Sequence, residues 1–180
     1  MDTYRSIEWV RYDARTTFFT YALQYLNWEC VEGDLLEFGV SVGKSLALIA
    51  LLYRENLALW QYTEPAVTKR RIGGYDSFSG LPAGEQAHPR WKPGSFATNY
   101  LAGHPSLTFN QKITPDSIHR LFDACGLIRP ELEEGWFAGE KLLGRAGCGQ
   151  EEERCGNEGA KLPNDSSPDL VWIPHGWMMN

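Results

Sequence analysis

Apolar side chains recur every three to four positions near the amino terminus, which predicts one amphipathic helix over residues 4–27. Charged side chains occupy much of the opposite side of this helix. We expect the apolar face to pack against the rest of the domain, with part of a lid as the alternative role. The residues that form the apolar face are Ile7, Val10, Ala14, Phe18, Tyr21 and Tyr25.

A short strand pattern, a glycine turn and a strongly apolar helix pattern follow in direct succession. Residues 35–40 form an apolar run that is typical of a buried parallel strand. Residues 46–53 are apolar on nearly every side, which indicates a buried helix that extends toward Pro65. Residues 71–78 predict a second strand that ends near Asp76. This succession predicts an α/β fold with a parallel sheet, of the kind that binds nucleotides.

The second half of the chain contains a long loop, one clear helix and a third strand. Prolines and glycines recur throughout residues 79–113, which predicts a loop. Thr114 is a favourable N-cap with Pro115 at the first helical position, and Gly126 is a typical helix end. Residues 131–137 then predict a third, partly buried strand.

The composition changes after Leu143. Residues 144–168 are rich in glycine, glutamate and other polar residues, which predicts a linker or a disordered segment. Residues 169–180 contain a possible terminal strand and a tail. We therefore expect one folded domain over residues 1–143, followed by these two segments.

Composition and charge argue against several classes of function. The 17 basic and 23 acidic residues give a net charge of −6, which disfavours general nucleic-acid binding. The chain has no run of about 18 apolar residues and no apolar core of signal-peptide type at its start. The 4 cysteines include no CxxC pair, which favours free thiols. We therefore expect a cytoplasmic protein without a membrane partner.

The segment EFGVSVGKS at residues 37–45 is the strongest candidate for a binding loop. Two glycines allow the backbone to turn sharply and to approach a ligand, and the next helix directs its N-terminus there. Glu37 can accept a hydrogen bond from a ligand, and Ser45 can donate one to a carboxylate. A phosphate-binding loop is the alternative, although only three residues, rather than four, separate Gly39 from Gly43.

Asp76 is the second candidate, because it stands at the predicted end of the second strand. An acid at this place can accept hydrogen bonds from both hydroxyls of a ribose. Asp76 follows Gly43 by 33 positions, which is longer than the roughly 20 residues usual in such folds. A turn-forming aspartate followed by Ser77 is the alternative interpretation.

Four short segments occur in the order seen in the macrocin O-methyltransferase family. The chain resembles this family over about residues 33–143, and DSF-x-GLP is the most specific element. Members of the family are class I S-adenosylmethionine-dependent methyltransferases that act on sugar hydroxyls, often with magnesium. The four segments are EFGVSVGKS at 37–45, YDSFSGLP at 75–82, WKPGSF at 91–96 and EGWF at 134–137.

The resemblance implies a Rossmann-like class I methyltransferase fold that is incomplete on its C-terminal side. It implies S-adenosylmethionine as the cofactor and a small molecule with a hydroxyl group as the methyl acceptor. One set of residues would contact the amino-acid end of the cofactor, an acid would hold the ribose, and others would border the adenosine. The residues at the amino-acid end would be Glu37, Gly39, Gly43 and Ser45. The acid at the ribose would be Asp76. The residues near the adenosine would be Ser77, Phe78, Gly135, Trp136 and Phe137.

The chain departs from the family after residue 137. Residues 139–142 replace a family DTLP string, and Pro174 and Gly176 stand where the family has two acids. These acids supply the general base and the magnesium ligands, so neither is identified here, and His175 is a weak substitute for the base.

We therefore expect a truncated or inactive O-methyltransferase. A non-catalytic module that binds an adenosyl ligand or a partner is the first alternative, and a nucleotide-phosphate-binding domain is the second. An incomplete sheet would also leave strand surface exposed, which predicts marginal stability or association into a homo-oligomer.

Overall fold

A parallel sheet of three strands, with helices packed against it, forms the centre of the molecule. The computed structural model describes residues 2–82, 92–99, 101 and 103–136. The predictions for residues 137–180, including Phe137 and His175, lie outside these residues. The strands are β1 (Leu35–Phe38), β2 (Ile72–Asp76) and β3 (Glu131–Glu134); the helices are α1 (Thr3–Arg11), α2 (Thr16–Trp28), α3 (Lys44–Trp60), α4 (Pro65–Thr68) and α5 (Pro115–Ala124).

The three predicted strands are confirmed, and they lie in sequence order with β2 in the middle. All pairs are parallel, with Glu37 opposite Gly74 in the first pair and Tyr75 opposite Glu133 in the second. Gly74 allows α3 to lie close to the sheet, because a Cβ there would stand 2.9 Å from Leu46 of α3. The α/β class with a parallel sheet is therefore what the chain forms.

The prediction of a single helix over residues 4–27 is wrong, because the helix is interrupted between α1 and α2. At the break, the Asp13 carboxylate accepts hydrogen bonds from the backbone N–H of Arg15 and from its guanidinium, at 2.9 Å each. A side chain that binds a nearby backbone N–H offers the chain an alternative to continuing the helix.

The break also changes which side chains of α2 are buried. Ile7 and Val10 lie at least partly in the core as predicted, but Ala14 is exposed and the aromatic residues that continue the predicted face point outward. The side chains of α2 that enter the core are Phe19, Leu23 and Leu26. The predicted packing face is therefore correct for α1 and wrong for α2.

The core is formed mainly by α3, and α2 and α5 add further buried side chains. α3 extends to Trp60, as the apolar pattern indicated, and its first half is buried almost completely. α5 begins with the predicted Thr114 cap, whose side chain accepts a hydrogen bond from the Ser117 N–H. Its apolar stripe, Ile118, Leu121 and Phe122, is fully buried.

The predicted loop over residues 79–113 is confirmed where the structure describes it, at 79–82, 92–99, 101 and 103–113. These parts contain turns and one isolated bridge between Thr98 and Lys112. Among the helices in the described part of the chain, none has the length and apolar character needed to cross a membrane.

Candidate functional site

The loop between β1 and α3 is a tight bend at the carboxyl ends of the strands. Its backbone has positive φ angles at Gly39 (85°), Ser41 (51°) and Gly43 (77°). Glycine adopts such angles without the steric cost that a Cβ imposes. The prediction that the two glycines make a sharp turn directly before the helix is therefore confirmed.

Asp76 lies beside this bend and is bonded to it. Its Oδ2 accepts a hydrogen bond from the backbone N–H of Ser41 at 2.8 Å, and its Oδ1 accepts one from Phe78 at 2.8 Å. One carboxylate therefore connects the loop after β1 to the turn after β2. A carboxylate can accept about four hydrogen bonds, so Asp76 retains acceptor capacity beyond these two.

Glu37 and Ser45 lie beneath the bend and contact each other. Both are buried, with 4% and 5% of their surface exposed, and the Ser45 hydroxyl donates to Glu37 Oε1. A hydrogen bond of this kind offsets part of the cost of burying a carboxylate. The structure therefore pairs these two residues with each other, whereas the sequence analysis assigned each of them to a ligand.

The residues predicted to border an adenosine come directly after Asp76 and directly after the last residue of β3 in the sequence. The Gly135 N–H donates to the backbone oxygen of Asp76 at 2.9 Å, which places the end of β3 next to the acid. Trp136, the next residue, is 44% exposed. Ser77 donates to the Gly80 carbonyl at 3.0 Å, whereas the ring of Phe78 is buried in the core.

A group of side chains that no sequence pattern indicated packs against the bend. The Lys44 ammonium donates to the Tyr12 carbonyl and lies 4.7 Å from the centre of the Trp9 ring. The His104 ring contacts Trp9 edge to face at 4.9 Å. These residues are distant in sequence, so local spacing gave no signal of their proximity.

His104 connects the long loop to the bend. Its Nδ1 accepts a hydrogen bond from the Ser106 N–H at 3.1 Å, so its Nε2 carries the proton and donates to the Val42 carbonyl at 3.0 Å. Burial of the ring lowers the pKa of His104. A neutral imidazole therefore fixes the backbone of the bend at Val42.

Three charged side chains lie near the bend. They are Asp13 and Arg15 from the break between α1 and α2, and Lys44 from the start of α3. Hydrogen bonds from Arg15 lower the pKa of Asp13. The hydrogen bond to Asp13 is the main cause that raises the pKa of Arg15, and the charge of Glu37 contributes to the same shift. Loss of solvent lowers the pKa of Lys44. The buried Glu37 therefore lies within the electrostatic influence of Arg15.

A second concave region lies along the face of the sheet that bears Leu36, Gly73 and Tyr75. This groove of about 380 Å³ is lined by charged and aromatic side chains, among them Asp34, Arg71, Tyr75 and Glu133. Its lining extends from Asp34 and Arg71, which precede strands, to Tyr75 and Glu134 near the carboxyl ends, and it includes none of the predicted site residues. Within the residues that the structure describes, no three His, Cys, Asp or Glu side chains come together closely enough to hold a metal ion.

Comparison of the chain with protein-family models, with curated proteins and with solved structures finds no match.

Proposed function

We propose that the bend at residues 39–43 and Asp76 bind S-adenosylmethionine, and that the chain is an O-methyltransferase of the macrocin type. The hydrogen bond from the Ser41 N–H to the Asp76 carboxylate carries this proposal. It joins the two sequence elements, a glycine bend and an acid, that such a ligand requires at one edge of a parallel sheet. A merely turn-forming aspartate would bond within its own turn alone.

The side chains present suit a ligand that has both an adenosyl and an amino-acid end. The remaining acceptor capacity of Asp76 suits the two hydroxyls of a ribose. The N-terminus of α3 favours a carboxylate, and Glu37 beneath the bend has the charge that an ammonium group requires. The exposed indole of Trp136, two positions beyond β3, offers an apolar surface for an adenine.

The arrangement of the strands supports the same proposal. The order β1-β2-β3 corresponds to one half of a doubly wound nucleotide-binding sheet. In such sheets, ligands bind beyond the carboxyl ends of the strands, where the bend and Asp76 lie. The Rossmann-like class I methyltransferase fold is part of this proposal.

The cofactor would supply an electrophilic methyl group for transfer to a hydroxyl oxygen. The chain would hold the donor and exclude water, and an acceptor hydroxyl also requires a base or a metal ion. No described residue is assigned either role. The donor-binding half of the reaction is therefore the part that the described residues support.

The contacts of Lys44 argue against the phosphate-loop alternative. In a phosphate-binding loop the lysine reaches toward the phosphates. Here the Lys44 ammonium donates to the Tyr12 carbonyl and lies over the Trp9 ring. An adenosyl ligand is therefore favoured over a nucleotide held by its phosphates.

Calorimetry of the full chain with S-adenosylmethionine, S-adenosylhomocysteine and ATP tests the proposal. We expect the first two ligands to bind and ATP not to bind. Asp76→Ala should weaken binding at least about tenfold, or ~1.4 kcal/mol. Asp123→Ala is a matched control, because Asp123 is an exposed acid that pairs with Arg129 at 2.8 Å.

Thermal unfolding of each variant establishes that it is folded before its affinity is compared. The proposal is wrong if the wild-type chain binds neither adenosyl ligand, or if Asp76→Ala binds them as tightly as the wild type. Formation of S-adenosylhomocysteine with hydroxyl acceptors would identify an enzyme. Binding without any such product would favour the non-catalytic module instead.

A further inference from the structure

α2 exposes a row of aromatic side chains along one face. Their positions follow steps of three and four residues, so they lie on one side of the helix over about 15 Å. The buried residues of α2 occupy the opposite side. The row, which we name the aromatic stripe, consists of Phe18 (61% exposed), Tyr21 (68%), Tyr25 (64%) and Trp28 (71%).

The helix that carries the stripe has no charged residue. The sequence of α2, TTFFTYALQYLNW, is uncharged over its 13 positions, although the whole chain has a net charge of −6. Contiguous exposed apolar patches on proteins commonly mark interaction sites, and aromatic residues are enriched in them. The stripe therefore has the composition of an interface rather than of an ordinary solvated face.

We propose that the aromatic stripe is the surface through which two copies of this chain pair about a two-fold axis. In such a contact the same patch of each copy forms the interface. A charged residue near the axis would therefore lie opposite the same residue of the second copy. A charged patch would repel itself, whereas the uncharged α2 does not. This inference is independent of the proposed donor site.

The area of the stripe is sufficient for a small specific interface. Four aromatic side chains of roughly 150–250 Å² each, at about two-thirds exposure, offer on the order of 500 Å² per copy. Two copies would bury on the order of 1,000 Å² in total, which is the lower limit of specific protein interfaces.

A membrane surface fits the stripe less well than a second copy. Helices that lie in the membrane interface are commonly rich in Lys and Arg on their polar face. α2 has neither residue, and the net charge of the chain is negative. A bilayer with anionic lipids would therefore gain little attraction from this protein.

Analytical ultracentrifugation of the full chain across the micromolar range tests the proposal. The wild type should sediment as a dimer, and the double variant Tyr21→Lys/Tyr25→Lys should raise the dissociation constant at least about tenfold. Phe109→Lys is the matched control, because Phe109 is 77% exposed but lies outside α2. The control should dimerise as the wild type does.

Circular dichroism and thermal unfolding establish that the double variant is folded, and the single variant Tyr25→Ser provides a milder second test. A wild-type chain that stays monomeric overturns the proposal. A folded stripe variant that dimerises as tightly as the wild type overturns it too, because the contact would then lie elsewhere. Co-sedimentation of a monomeric wild-type chain with phosphatidylserine vesicles would identify a membrane as the occupant and would also overturn it.

Discussion

Gly43 lies against Ile118, so that a Cβ placed at Gly43 would stand 2.9 Å from the Ile118 Cδ1 atom. Gly43 is the last residue of the bend, and Ile118 is a fully buried residue of α5. The bend is therefore restrained both by its positive φ angle and by the helix packed against it. Its shape depends on a contact between residues that are 75 positions apart in the sequence.

Gly43→Ala should destabilise the fold more than Gly39→Ala. Both glycines have positive φ angles, which cost an alanine about 1–2 kcal/mol. A Cβ at Gly39 meets no atom within 4 Å, whereas one at Gly43 meets Ile118 and adds about 1–3 kcal/mol of overpacking. Urea unfolding measures both free energies, and equal losses would contradict the role of Ile118.

His104 should make the fold sensitive to mildly acidic pH. Because burial lowers its pKa below the usual value of 6.5, the unfolded chain takes up a proton more readily than the folded chain. The stability that His104 contributes is therefore present above about pH 6.5 and is lost as the pH falls toward the lower folded pKa. His104→Gln should reduce the loss of unfolding free energy between roughly pH 7.5 and 5.5.

His119→Gln is the control for this measurement. His119 also contacts a backbone carbonyl, that of Pro130 at 3.2 Å, but its ring is more exposed than that of His104. This variant removes one contact between a histidine and a carbonyl while the bond from His104 to the Val42 carbonyl stays in place. If both glutamine variants change the pH dependence equally, His104 is not the group responsible.

The buried pair of Asn27 and Asn56 should respond differently to one substitution and to two. Asn27 Nδ2 donates to Asn56 Oδ1 at 2.7 Å, which joins α2 to α3. Asn56→Leu leaves a buried amide without this acceptor, at a cost of about 1–3 kcal/mol. The double variant Asn27→Leu/Asn56→Leu should lose less than the sum of the two single losses. Additive losses in urea unfolding would refute this coupling.

Cys125 should resist alkylation as long as the chain is folded. Burial raises the pKa of its thiol to about 11, so almost no reactive thiolate forms near pH 8. Cys30 is exposed and provides an internal control. Peptide mass spectrometry after treatment with iodoacetamide should find Cys30 modified and Cys125 protected until urea is added. Early modification of Cys125 would show that α5 opens in the native state.

Sequence patterns predicted the elements whose signals are local. α5 has an N-cap at Thr114 and a proline at its first position, and both are found as expected. The first strand was predicted from a short apolar run, and the second, predicted to end near Asp76, ends there in the structure. Caps and periodicity act over a few residues, so a single sequence is enough to read them.

The division of the N-terminal helix could not be predicted from apolar spacing alone. The spacing of three and four residues continues through Ala14, but Asp13 binds the backbone and side chain of Arg15 and ends the helical path. After this break the phase of α2 is rotated, so that Phe19 is buried and Phe18 is exposed. Tertiary packing against α3 decides between the two phases.

The candidate site was predictable in part. Placing Asp76 beside the glycine bend required only the rule that neighbouring parallel strands end at the same edge. The pairing of Glu37 with Ser45, and the contact of His104 with Val42, depend on side-chain positions between distant segments. Single-sequence patterns contain no measure of such distances.

The order of the strands determines how a further strand could pair with the other side of β1. The described chain moves from β1 to β2 to β3, and α3 and α5 contribute to one shared core. Crossovers between parallel strands are almost always right-handed. A later parallel strand that pairs with the other side of β1 must therefore arrive by a connection across the face that bears Phe38 and Tyr75. The stacked rings of these two residues, 5.0 Å apart, would then become interior contacts.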